Sequence, residues 1–367
     1  MSEILMPDGL HPTVYGTGLI GLDVILNGTP EEKGKLFAGG TCGNVLAILS
    51  FLGWRSYPLA RLKNDWAGRR VVKDLGQWGV CLDHVQLKPR TATPIIVERI
   101  KPDHAGGVFH SWSWTCPKCK SWLPGHRHIT IRAAEKLAGD LRRPKVFFLD
   151  RVSPAALKLA RVSRRRGAAI VFEPSAAGPA RLMKEAIKIS HLVKYSHSQA
   201  GLLSDIRPSS EPPIEVVTYG EHGLRFRSST ERAKTRSWQH LQALKMPQPR
   251  DTAGAGDWCS AGIIHFLCRG GHKGLKSATT TELRKALRFG QALAAWNCQY
   301  EGARGGMYYE DKGGFQVAIS NLLSGKTQAS EERTTKRHID LLSTRLCPQC
   351  GILGKAKGAN GRKSKST

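Results

Sequence analysis

The chain has 367 residues, 40% of them hydrophobic, enough apolar material for one large α/β domain or two ordinary ones, which excludes a mini-protein and a disordered chain. Fifty-six Lys and Arg against 29 Asp and Glu leave a net charge of +27, a surface that attracts nucleic acid, nucleotides, phosphorylated metabolites or anionic lipid. The longest apolar stretch, Val45 to Trp54, is about half of what spans a bilayer, and the first residues lack a secretory signal, so a cytosolic protein with no membrane contact is expected.

Up to about Ala303, short β-rich runs alternate with helical patterns, the order that a mostly parallel sheet covered by helices requires. Val14 to Leu26 reads as strand segments broken by Gly16, Gly18 and Gly21. Asn44 to Leu52 reads as a buried helix, Trp66 to Trp78 as an amphipathic helix and Thr93 to Ile100 as a strand. Ser111 to His128 breaks the rhythm: it holds three tryptophans, Cys116-Pro117-Lys118-Cys119 and His126-Arg127-His128, and reads as an insertion with its own chemistry. Trp112, Trp114 and Trp122 are expected to pack; stacking on nucleic acid beside Lys118, Lys120 and Arg127 is the alternative.

The alternation resumes with a strand at Val146 to Leu149, a helix at Pro154 to Arg165 and a strand at Ala168 to Phe172, closed by Glu173-Pro174. His191 to Tyr195, Ile214 to Tyr219 and Leu224 to Arg227 are strand candidates; Ala255 to Cys268 and Thr281 to Tyr300 read as long helices. After Gly325 the chain turns polar and ends in Lys355, Lys357, Arg362, Lys363 and Lys365, a disordered or polyanion-binding tail by composition.

Five of the nine cysteines (Cys42, Cys81, Cys259, Cys268 and Cys298) sit singly in core-like runs and read as packing. The other four form two C-P-x-C pairs, a spacing that turns both thiolates of a pair toward one point and suits a closed, structural Zn²⁺ site. Cys116 and Cys119 either join His126 and His128 or meet Cys347 and Cys350; two nearly identical half-sites favour the four-cysteine set over both that and free thiols.

The chemistry-bearing segment is Asp251-Thr252-Ala253-Gly254-Ala255-Gly256-Asp257. Glycines ahead of a helix let main-chain N–H groups converge where the helix dipole is positive, forming an anion hole from Gly254, Ala255 and Gly256. Asp257, closing the loop, is placed to take the proton of an attacking hydroxyl. A helix-capping Asp after a glycine turn is the alternative.

The motif D-T-A-G-A-G-D-x-x-x-A-G resembles the C-terminal signature of the ribokinase/PfkB carbohydrate and nucleoside kinases, and Gly39-Gly40-Thr41-Cys42-Gly43-Asn44 resembles that family's acceptor-binding motif. The resemblance spans roughly Val14 to Gly306. It implies a ribokinase-like α/β fold, a mostly parallel central sheet flanked by helices with a small β lid, and ATP- and Mg²⁺-dependent phosphoryl transfer to a sugar or nucleoside hydroxyl. A monovalent cation and a homodimer are also within what it implies. The kinase domain would cover 1–325, with a lid from the early strands and about 84–112 and the insertion at 111–130, and a basic extension would cover 326–367.

By the same resemblance Asp23, Gly39, Gly40, Asn44 and Asp251 bind the acceptor. Thr218, Gly220 and Gly223, in a T-x-G-x-x-G turn, and Asn297 bind the nucleotide. Leu62 to Gly68 resembles the family's G-x-D-x-x-G stretch without its leading glycine. Two departures stand out. The Mg²⁺-ordering N-x-x-E motif is replaced by Ser196-His197-Ser198-Gln199, and D-P-N by Glu173-Pro174-Ser175. These leave a competing expectation: a weak or silent kinase fold that binds nucleic acid through zinc knuckles and a basic tail.

Overall fold

The computed structural model describes residues 4–7, 9–27, 34–102, 108–204, 206, 211–235, 237–244, 249–326, 334–342, 346, 347 and 350. The first stretch runs through β1 (Thr13–Thr17), β2 (Gly21–Asn27), β3 (Lys35–Gly39), α1 (Thr41–Phe51), β4 (Arg55–Pro58), β5 (Ala60–Lys63), α2 (Trp66–Gln77), β6 (Val85–Lys88), β7 (Ile95–Pro102) and β8 (Val108–Ser113). A regular alternation follows: α3 (Ile131–Asp140), β9 (Val146–Leu149), α4 (Pro154–Arg165), β10 (Ala169–Phe172), α5 (Ala180–Ile189), β11 (Leu192–Ser196), α6 (Gly201–Ser204) and β12 (Ile214–Thr218). Next come β13 (Leu224–Ser228), β14 (Gln239–Leu241), α7 (Ala255–Leu267), α8 (His272–Ser277), α9 (Thr280–Asn297), α10 (Gly306–Tyr309), α11 (Lys312–Leu323) and β15 (Asp340–Leu341).

Eight strands form the central sheet in the order β14-β13-β12-β11-β10-β9-β1-β4, parallel from β4 through β12 and antiparallel at β13 and β14. Val146-Phe147-Phe148-Leu149 and Ala169-Ile170-Val171-Phe172 are buried at every position, as strands covered by helices on both faces must be. Helix α4 begins where Ser153 accepts the Ala156 N–H and Pro154 occupies the first turn; its Ala and Leu face is buried while Arg164 and Arg165 end it. Helix α7 is apolar almost all round because α1 and α9 both pack on it, with Trp258 edge-on to Trp296 at 5.2 Å.

A second, five-stranded sheet has the order β15-β3-β2-β7-β8 and is called here the cover sheet. Only its β2–β7 pair is parallel. Two expectations are corrected in this region. Part of the polar segment after Gly325 is folded: Asp340 pairs with Leu36, and Leu346 and Cys347 are buried, because Arg70 and Lys73 bind the Asp340 carboxylate and an apolar seat receives Leu346. The lysine-rich end, 351–367, lies outside the described residues. Nor do the tryptophans all pack, since Trp112 is 51% and Trp122 80% exposed on a hairpin in which Thr115 pairs with Trp122. No described helix is long and apolar enough to cross a membrane.

Candidate active site

The loop before α7 turns at Gly254, whose φ of 71° is left-handed; a Cβ there would lie 2.2 Å from the Ala303 carbonyl oxygen, so only glycine fits. Helix α7 therefore starts with Ala255, Gly256 and Asp257 in its first turn, where amides have no helical acceptor. Ala255 N–H donates to the Thr252 carbonyl at 3.2 Å, which removes it from the expected trio of donors. Among the described residues the amides of Gly254 and Gly256 have no protein acceptor, and they remain available to an anion.

Asp257 does not cap the helix, which excludes the capping alternative. Its Oδ2 accepts the Asn44 Nδ2–H at 2.8 Å, joining the two sequence motifs across 213 residues. The side chain is 9% exposed, and burial, reinforced by the neighbouring Glu173 carboxylate, holds its pKa well above the usual range.

Asp23 lies within β2 and is no turn residue. Its carboxylate sits against Gly39, where a Cβ would be 1.7 Å from Oδ2, and the neighbouring Gly40 N–H draws its pKa down. Burial raises it to about 7, against the pull of Arg304. Arg304, which the sequence reading did not single out, is buried: Nε donates to Asn44 Oδ1 at 3.1 Å, and Nη2 to Ala38 O at 2.6 Å and Asp74 Oδ1 at 3.2 Å. Two atoms of this network, Asp23 Oδ1 and Arg304 Nη1, are buried with no hydrogen-bond partner among the described residues. Such atoms are costly unless something else satisfies them.

Asp251 and Asn297 act on the loops themselves. Asp251 is fully buried, accepting from Ala253 N–H at 2.7 Å and Gly302 N–H at 2.6 Å. Asn297, also fully buried, donates to the carbonyls of Gly302 and Ala303 and accepts from Gly306 N–H, so neither side chain exposes an atom to a ligand here. The cover sheet reaches this loop through His110 of β8. Its Nδ1 lies 2.9 Å from Glu98 Oε1 and 3.4 Å from Asp251 Oδ1, while Nε2 receives the Thr252 N–H at 3.2 Å. That last contact requires a neutral ring protonated at Nδ1.

The chain from residue 22 to 308 matches the model of the pfkB family carbohydrate kinase. The chain belongs to the pfkB family. Its fold is that of a ribokinase from Arabidopsis thaliana solved with ribose and ATP (TM-score 0.61, 18% identity, 85% of this chain and 99% of that one). It is also similar to a fructokinase with bound ATP from Xylella fastidiosa (0.63, 16%, 85% and 97%) and to a nucleoside kinase with inosine from Burkholderia thailandensis (0.56, 16%, 79% and 92%). No curated protein sequence matches this chain.

Where the pfkB signatures are altered, the strand ends are closed by protein contacts. Glu173 is buried between Lys194 Nζ at 2.5 Å and the Ser260 hydroxyl, and the pair lies against Gly256. Burial alone would lower the Lys194 pKa, but Glu173 outweighs it and the net shift is upward. Gln199 Oε1 accepts from Ser196 N–H in a capping box, and Asp150 is fully buried, bonded to Leu19 N–H and the Ser175 hydroxyl. Each carboxylate oxygen of Glu173 and Asp150, and the Gln199 Oε1, thus already accepts a hydrogen bond from the protein.

The T-x-G-x-x-G stretch is an exposed hairpin turn between β12 and β13, with Tyr219 stacked on His197 at 4.9 Å. Asp65 of the Leu62 to Gly68 stretch caps α2 by accepting the Gly68 N–H. The signals for the missed residues were present. Lys194 interrupts a strand buried from Leu192 to Tyr195, and Glu98 follows the apolar run Ile95-Ile96-Val97, and charge at such positions needs a partner.

Apart from this site, a cleft of about 610 Å³ is lined by Arg61, Arg90, Arg127, His126 and His128, with no acid among its walls. The four paired cysteines also meet: Cys347 and Cys350, rather than His126 and His128, converge on Cys116 and Cys119.

Proposed function

We propose that this pfkB-family protein transfers the terminal phosphoryl group of ATP to a hydroxyl of a sugar or nucleoside. The observation that carries this reading is the meeting of Asp257, hydrogen-bonded to the acceptor-motif Asn44, with unengaged amides at the start of α7. The acceptor hydroxyl gives its proton to Asp257 as its oxygen attacks phosphorus, and ADP leaves. Gly254 and Gly256 N–H groups stabilise charge on the transferring phosphoryl oxygens. Asp23 Oδ1 and Arg304 Nη1 offer an acceptor and a donor to the substrate's other hydroxyls, which would satisfy both atoms.

The raised pKa of Asp257 suits a base that must bind a proton readily near neutral pH. The family binds Mg²⁺ with its nucleotide; in this chain no step is assigned to protein-held metal, since the strand-end carboxylates are engaged. The similar solved structures include a ribokinase, a fructokinase and a nucleoside kinase, which leaves the acceptor to assay: ATP consumption with a panel of sugars and nucleosides, wild type against Asp257→Asn. Turnover with at least one member, lost in the variant, is expected; equal turnover in both overturns the assignment of the base.

A further inference from the structure

We propose that Cys116, Cys119, Cys347 and Cys350 bind one structural Zn²⁺ that fastens the C-terminal segment to the cover sheet. The inference is independent of the kinase reading.

The Sγ atoms of Cys116 and Cys350 are 3.5 Å apart, those of Cys119 and Cys347 3.4 Å, and those of Cys347 and Cys350 3.8 Å. A tetrahedron with Zn–S bonds of about 2.3 Å has edges of about 3.8 Å, so the thiols already stand close to the corners of such a site. Disulfides need sulfurs about 2.05 Å apart, and none of the four cysteines is in one. All four ligand atoms lie within 4.8 Å of one another, although the two pairs are more than 220 residues apart in the chain.

The first half-site has the backbone of a metal knuckle. Cys116 N–H donates to Ser121 O and Lys120 N–H to Cys116 O, and Lys120 takes a left-handed φ of 61°, a cost that a non-glycine residue bears only when the turn is imposed. The second half-site has Gly351 at the corresponding sequence position. Ser121 Oγ lies 3.4 Å from Cys119 Sγ, able to donate to a bound thiolate. Cys116 and Cys347 are almost wholly buried, and the exposed Lys118 and Lys120 in the same knuckle offset the negative charge of a zinc tetrathiolate.

Topology gives the site its consequence. Cys116 follows β8, one border of the cover sheet, and Cys347 follows β15, the opposite border. One ion therefore joins both borders, and β8 carries the His110 that contacts Thr252 and Asp251 of the glycine loop. With four protein ligands the coordination is closed, so the ion is structural.

The test is elemental analysis of the full chain purified without chelator, with cobalt substitution of the stripped protein as a second measurement. One zinc per chain and the thiolate-to-cobalt charge-transfer bands of a tetrahedral site are expected. Stripping should make the chain after Gly325 more protease-sensitive and leave the central sheet's circular dichroism unchanged. Cys350→Ser should reduce zinc at least tenfold, whereas Cys81→Ser, outside the cluster, should not change it. Should Cys350→Ser fail to fold, the wild-type metal content and cobalt spectrum still decide. Iron in place of zinc, less than a tenth of an equivalent of metal, or a tail whose proteolysis is indifferent to stripping overturns the proposal.

Discussion

Asp257 and Asp23 show how burial sets two carboxylates to different tasks. Asp257→Asn should keep the melting temperature within a few degrees while turnover falls about 10²–10⁴-fold, the usual worth of a general base. Because the Asp257 pKa is raised, wild-type kcat/KM should climb with pH above the ordinary carboxylate range as the proton leaves, and the residual rate of the variant should not. For Asp23 the folded pKa of about 7 exceeds the reference value of 3.8, so the folded state holds the proton more tightly. Its contribution to stability is complete below about 3.8 and lost as pH rises through about 7. Relative to Asp23→Asn, the wild type should therefore lose melting temperature between pH 5 and pH 8; parallel curves would refute the shift. Lys194 and Glu173 are a third case. Lys194→Met strands a buried carboxylate and should cost about 3–5 kcal/mol in urea unfolding, while adding Glu173→Gln should restore much of it.

At the scale of elements, Gly254 separates a loop from a helix by a backbone angle that other residues avoid. Gly254→Ala should cost about 1–2 kcal/mol for the left-handed conformation, and the Cβ would push the loop off Ala303, so turnover should fall further than stability does. The helix α4 was legible to the residue because Ser153, Pro154 and its apolar period agree. The strands β9 to β13 were legible as apolar runs. β3 and β8 were not, since Lys35–Gly39 reads as the approach to a glycine motif and Val108–Ser113 merges into the tryptophan-rich segment. In the site, Asp257 and Asn44 were expected from the two motifs and Asp23 from the family resemblance alone. Arg304 was not, because its partners Asn44, Ala38 and Asp74 lie on elements distant in sequence; Glu98 and His110 face each other across β7 and β8, and only packing brings Asp251 to them.

For the whole molecule, the cover sheet meets the glycine loop through a small polar contact set. Glu98, His110 and Asp251 lie together, and Lys35 of β3 pairs with Glu301 at 2.7 Å. Burial lifts Glu98 to about 8 despite its bond to His110, while that bond, stronger than the opposing burial, raises His110. His110→Leu removes the acceptor of the Thr252 N–H, so amide hydrogen exchange should quicken at Thr252 and along β7 and β8 but not in β9 and β10. Uniform quickening would mean global destabilisation instead.

β15 has an effect beyond anchoring the tail. By occupying the Lys35–Leu36 half of β3, it takes up main-chain groups to which a foreign strand would otherwise add. Self-association by sheet extension along that half would require the molecule first to peel away its own C-terminal strand.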